Sequence, residues 1–310
     1  MNYVEFINQL IREKLGEEKN NIVLFGQNIG AGSCLSGLTR NLVVKNGLIV
    51  NTTNCENTLC GVGFGLMLNK VSSIFFMKQQ EFLLLRIDHL VNTYNIIRQK
   101  DPSASFTIVT VVVDSGFEGP QSSFNNFGDL CSIARVPGFA ITNKADAKEI
   151  IKSHLISPGF RIIGVSQRLF KKEMAEIEKI YSNDENTLFQ YSKGADVTIA
   201  CFNFSFPYGL ELSNELRKKG FDSSLFSINS LTPIKWDKIV EDLKKTKKLV
   251  IIDDSKSESP SYYNFLAEAL DKCQIDKKII VRRDFSEEWF SPNSDLLEIN
   301  YEKIWQGLAL

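Results

Sequence analysis

Apolar residues repeat on one helical stripe over residues 1–16, with Glu5, Arg12, Glu13 and Lys14 on the polar side, which predicts an amphipathic helix. NIVLF at 21–25 and LIVN at 48–51 are short apolar runs of the kind that form buried strands. Between them, residues 26–32 (GQNIGAG) form a glycine-containing loop without the lysine of a phosphate-binding loop or the spacing of a dinucleotide fingerprint. Residues 59–69 read as a helix in which Gly61, Gly63 and Gly65 alternate with Val62 and Phe64, so one face is small enough for a close neighbour. A strand at 71–77 follows. The next helix, 82–99, is apolar at positions 82–85, 87, 90, 91, 94, 96 and 97, which is more than one stripe. It should be covered on two sides, and in an oligomer one of them would be a subunit interface. FTIVTVVV at 106–113 is a β-branched run typical of parallel sheets. The polar loop 114–126 suits a functional site. A strand at 139–142 leads to Asn143, placed to cap a helix over 145–155, and 161–165 is the last strand of this unit.

Residues 171–193 are charged and poor in apolar side chains, and read as helix plus linker. From Gly194 onward strands (197–202, 225–229, 249–253, 278–282) alternate with helices (208–219, ended by Gly220; 236–244; 261–272). Such alternation predicts a parallel sheet with right-handed crossovers. The fold class expected is α/β, with two doubly wound, mostly parallel-sheet domains. The first spans 1–175, a linker 176–193, and the second 194–310.

The 310 residues suffice for two domains, and 43% apolar with 24% charged residues gives a packed core rather than disorder. A net charge of −1 argues against nucleic acid as the main partner. The basic run at 244–248 caps a helix end more readily than it binds phosphate. No run is long enough to span a membrane and no signal peptide is evident, so a cytoplasmic protein is expected. The six cysteines form no Cys-x-x-Cys pair and read as buried reduced thiols, not a zinc site. Cys55 as a nucleophile lacks a histidine at supporting spacing. His154 reads as a packed or helix-end imidazole. Asp253 and Asp254 read as a solvated strand end rather than a cation site.

One acid stands out. Glu56 precedes the glycine-rich helix near a strand's carboxyl end, where open α/β sheets place ligands. Its position also suits a carboxylate that merely favours the helix N-terminus. The order Glu56, Gly61-Val-Gly-Phe-Gly65, Ser73-Ile-Phe-Phe-Met77, Phe82 and Ile87-Asp88-His89-Leu90-Val91-Asn92, followed by Gly119-Pro120-Gln121, Val136-Pro137-Gly138 and Ala145-Asp146-Ala147-Lys148, resembles the transketolase-like thiamine diphosphate enzymes. Within them it is most similar to the beta subunits of 2-oxo acid dehydrogenases, over nearly the whole chain.

The resemblance implies a pyrimidine-binding domain followed by a transketolase C-terminal domain that mainly builds the dimer. It implies that Glu56 hydrogen-bonds the cofactor's aminopyrimidine, that Phe82 stacks on that ring, and that Leu59 and Leu85 line the site. His89 and Ser122 are the further catalytic candidates. Ser122 stands where relatives carry a histidine that touches the reacting substrate or acceptor. The arginine many relatives carry before this loop is also missing, which implies a different substrate or acceptor. Gln27 and Asn28 replace loop acids that link paired active sites in relatives. No Gly-Asp-Gly motif with its downstream Asn is present. An alpha chain is therefore expected to bind the diphosphate and Mg2+, in an alpha2beta2 heterotetramer, and no metal ligands are assigned to this chain. The activity implied is decarboxylation of a 2-oxo acid or transfer of its acyl or aldehyde unit. The alternatives are the C-terminal half of a split transketolase moving a ketol unit between sugars, and a non-catalytic structural homologue.

Overall fold

The computed structural model describes residues 1–100, 102–115, 125–230, 235–283 and 297–308. They form two six-stranded sheets. In the first, strands β1 (Ile22–Gly26), β2 (Gly47–Asn51), β3 (Ser72–Met77), β4 (Ser105–Val112), β5 (Gly138–Ile141) and β6 (Gly159–Ser166) lie in the order β2-β1-β3-β4-β6-β5. All its pairings are parallel. Alternation sorts the side chains between two layers. Leu24, Ile74 and Phe76 face helices α1 (Tyr3–Glu17) and α5 (Lys144–His154). Phe25, Phe75 and Phe106 face α2 (Glu56–Leu68), α3 (Tyr94–Arg98) and α4 (Phe127–Ala134).

The second sheet has the order β12-β11-β9-β10-β8-β7, from β7 (Tyr181–Ser182), β8 (Leu188–Ser192), β9 (Val197–Phe202), β10 (Ser223–Ile228), β11 (Lys248–Asp253) and β12 (Lys277–Val281). Strands β9 to β12 are parallel; β8 is antiparallel to β10, and β7 is antiparallel to β8. Helices α7 (Asp237–Thr246) and α8 (Tyr262–Lys272) cover one face, and α6 (Phe206–Lys218) and α9 (Tyr301–Gly307) the other. The expected fold class, two doubly wound and mostly parallel sheets, is what forms.

Local expectations fare unevenly. Asn143 caps α5 in a full capping box with Asp146. Lys244 and Lys245 occupy the last turn of α7. His154 stacks on Phe139 with ring centroids 4.1 Å apart. Burial, then Arg161, lowers its pKa to about 4, so it is a packed neutral imidazole. Three readings change. The stretch 171–193 contains no helix; it supplies β7 and β8, whose Leu188, Phe189 and Tyr191 are buried in the second sheet. The helix expected over 82–99 is broken into a 3-10 segment (Gln80–Arg86), a π-helical turn (His89–Thr93) and the short α3. Asp253 and Asp254 are not a solvated strand end: both are buried, and Asp254 pairs with Arg168.

That pair joins the two sheets. Arg168, after β6, also contacts Asp114 at 3.4 Å and donates to the Tyr208 hydroxyl at 2.7 Å. Burial works against its charge, but Asp254 and Asp114 outweigh it and keep the guanidinium ionised. A second junction forms where Asn229 exchanges backbone and side-chain hydrogen bonds with Ala140, each 2.7 Å, and Asn143 donates to Tyr191 at 2.7 Å.

Candidate active site

Strand β1 lies between β2 and β3, so the chain changes direction across the first sheet here, and the switch point is at the carboxyl ends of β1 and β3. Glu56 leaves β2 and Phe82 leaves β3. Glu56 is half-buried and is the first residue of α2 rather than preceding it, which places its carboxylate at the positive end of the helix.

Helix α2 sits close to the sheet because of Gly63. A Cβ there would lie 2.2 Å from the Phe106 ring. Its other face is open: nothing lies within 4 Å of a Cβ on Gly65. Val62 and Leu68 on α2, Leu84 and Leu85 on the 3-10 segment, and Ile96 on α3 are all exposed, Leu85 by 58%. The helix is thus apolar on faces that the described residues leave uncovered.

Phe82 and Leu59 are half-buried and pack on the cluster built by Cys60, Phe64 and Leu83. Leu85, expected beside them, points to solvent. His89 Nδ1 lies 3.0 Å from the Thr93 hydroxyl, and its Nε2 faces Gly61, 3.4 Å from where a Cβ would be. Gly61 is five residues along α2 from Glu56, an axial rise of about 7.5 Å. Ser122 and Gly119-Pro120-Gln121 lie outside the described residues. Of the thiols, Cys60, Cys131 and Cys201 are buried as expected, whereas Cys55 is exposed, 3.1 Å from the Thr58 hydroxyl.

Arg86 is the residue sequence reasoning passed over. It is fully buried, over the Phe75 ring at 5.4 Å, with Nη1 3.5 Å from Met77 Sδ. Nε and Nη2 have no hydrogen-bond partner among the described residues. Burial lowers its pKa to about 10, against the pull of Cys60 and Glu56 in the opposite direction. A cation inside the run FLLLRID was the available signal. Among the described residues no group of three or more His, Cys, Asp or Glu is placed to hold a metal ion.

No family model matches the chain. The "Pyruvate dehydrogenase E1 component subunit beta" of Staurastrum punctulatum is 24% identical over 257 residues, 79% of this chain and 77% of the relative. The mitochondrial protein of that name from Dictyostelium discoideum is 24% identical over 269 residues, 82% and 73% of the two chains. Among solved structures, a split-gene transketolase described as an inactive beta4 tetramer superimposes with a TM-score of 0.65 at 16% identity, covering 99% of this chain and 97% of that one. The 2-oxoglutarate:ferredoxin oxidoreductase of Magnetococcus marinus gives 0.64 at 10% identity, covering 99% and 64%. The chain therefore has the transketolase-like fold and resembles, in sequence, the beta subunits of 2-oxo acid dehydrogenases.

Proposed function

We propose that this chain is the beta subunit of a thiamine diphosphate enzyme that decarboxylates a 2-oxo acid or transfers its acyl or aldehyde unit. The observation that supports the reading is one half-buried carboxylate, Glu56, in the first turn of α2, whose Leu59 packs with Phe82 on one apolar cluster. Those residues fit a flat aminopyrimidine: Glu56 would hold the proton shared with a ring nitrogen, and Phe82 would pack against the ring face. The cofactor, when bound, supplies carbanion stabilisation; the chain orients it and sets its protonation.

The diphosphate end has no counterpart here, since the sequence lacks Gly-Asp-Gly. An alpha chain would bind it with Mg2+, and the exposed apolar residues of α2 and the following segment suit such a partner. An alpha2beta2 assembly follows from this reading. The near end-to-end superposition on a split-gene transketolase chain supports a second reading, ketol transfer between sugars. Glu56→Gln in the purified complex tests the first. Assembly should persist and 2-oxo acid turnover should disappear; full turnover in that variant would overturn the assignment. Ketol transfer to an aldose without release of carbon dioxide would favour the second.

A further inference from the structure

The second sheet has its own reversal of direction. From β9 the chain goes to β10 on one side and then to β11 on the other, so the loops leaving β9 and β11 diverge to opposite faces. Open α/β sheets bind ligands in the crevice outside the carboxyl ends of such a strand pair. A cavity of about 410 Å3 lies there, within the ~300–1,000 Å3 range of small-ligand sites. Its floor is Asn203, just after β9, and Asp253, at the end of β11. Its wall is a row of hydroxyls on alternate residues, Ser255, Ser257, Ser259 and Ser261. Helix α4 closes it from the first sheet with Asp129 and Ser132. Ser257 donates to Asp129 at 2.6 Å, which pins the two sides together.

Asn203 is 2% exposed and its orientation is fixed, since Nδ2 donates to Asn125 at 2.7 Å and to Asp254 at 2.9 Å. Its Oδ1 has no hydrogen-bond donor among the described residues, and neither has Oδ1 of Asn126, on an adjoining cavity of about 500 Å3 that shares Asp129, Ser257 and Ser259. A buried amide oxygen without a donor costs about 1–3 kcal/mol, but both oxygens are almost fully enclosed, so the accessible polar atoms of the cavity are those of the serines and carboxylates. The charges lining the cavity are Asp129 and Asp253, which disfavour an anion. Lys256 borders the adjoining cavity together with Glu81 and Glu258, and Arg282 is within electrostatic reach of Asp253. Burial raises the Asp253 carboxyl to about 6, so it can be a donor as well as an acceptor in mildly acid solution.

We propose that this crevice is a binding site for an uncharged, hydroxyl-rich small molecule of the sugar or polyol class. Hydroxyls both accept from and donate to the serine row and donate to the Asp129 and Asp253 carboxylates. Neither Glu56 nor Phe82 lines the cavity, and the proposal calls on neither an alpha chain nor a cofactor, so its test is distinguishable from that of the proposed function.

The test is calorimetric titration of the full chain with D-ribose, D-glucose and sorbitol, and with pyruvate and inorganic phosphate as anionic counterparts. Ser132→Trp and Ser259→Trp, both exposed positions on opposite walls, plug the cavity. The expected result is saturable binding of at least one neutral probe, weakened at least about tenfold in both variants, with no competition from either anion. Absence of saturable binding, which would mean a cavity filled by water only, overturns the proposal. So does binding that both tryptophans leave unchanged, or a preference for the anions.

Discussion

Gly63→Ala and Gly65→Ala, two residues apart on α2, should move stability in opposite directions. A Cβ on Gly63 would meet Phe106 Cζ, Cε2 and Cε1 at 2.2, 2.4 and 2.6 Å. The Phe106 ring has no room to retreat: it is fully buried and packed against Phe64 and Phe160 with centroids 5.1 Å away in each case. Overpacking of this kind costs ~1–3 kcal/mol, and three close ring atoms place it at the upper end. Replacing a helical glycine by alanine returns about 1 kcal/mol. The net for Gly63→Ala is a loss of roughly 1–2 kcal/mol. At Gly65 nothing lies within 4 Å, so only the gain of ~0.5–1 kcal/mol remains. Urea unfolding of the two variants, with slopes compared to exclude a change in compactness, measures the difference. Gly63→Ala should also displace the start of α2 and with it Glu56. Equal midpoints for the two variants would refute the claim that Gly63 sets the helix–sheet distance. If the open face of α2 receives a partner, Gly65→Ala should stabilise the isolated chain yet weaken assembly.

Three further outcomes follow. Arg168→Met leaves Asp114 and Asp254 buried without their cation and should cost ~3–5 kcal/mol in urea unfolding, with part regained on adding Asp254→Asn. His154 is held neutral in the folded chain, with its pKa lowered to about 4, whereas the unfolded chain takes up a proton near pH 6.5. Stability should therefore fall as pH drops from about 6.5 towards 4, by about 1–2 kcal/mol after allowing for partial exposure. His154→Phe, which keeps the stacking on Phe139, should flatten that slope; an unchanged slope would rule out His154 as its source. Arg86→Met, which removes a buried guanidinium with two donors unpartnered among the described residues, should cost less than about 1 kcal/mol or stabilise the isolated chain, and a loss above ~3 kcal/mol would show that Arg86 is already paired.

Local chemistry made much of this fold legible. Alternation in IVLFG and SSIFFM divides Leu24, Ile74 and Phe76 from Phe25 and Phe75, and the side chains go to opposite layers as the period requires. The capping box at Asn143 and the packed ring of His154 were likewise readable from neighbours in sequence. Interactions between distant residues were not. Arg168 and Asp254 are 86 residues apart, and nothing near Asp254 announces the cation that buries it. Strand β8 was hidden because its apolar residues follow a charged stretch, and its place is set by β10, which comes later in the chain. At the proposed site, Glu56 and Phe82 were singled out through the order of motifs. Their placement after β2 and β3, on either side of β1, depends on the sheet order β2-β1-β3, which composition does not disclose. Arg86 was missed because an arginine among leucines reads as a surface residue until burial is known.

The central claim is that Glu56 meets a heterocycle whose charged tail another polypeptide holds. Titration of thiamine diphosphate with Mg2+ into this chain alone, and into its mixture with an alpha chain bearing Gly-Asp-Gly, tests it most directly. The account predicts tight uptake in the mixture only, weakened when Glu56 is replaced by Gln. Tight, Mg2+-dependent uptake by the isolated chain, or uptake by the mixture that Glu56→Gln leaves untouched, would contradict it.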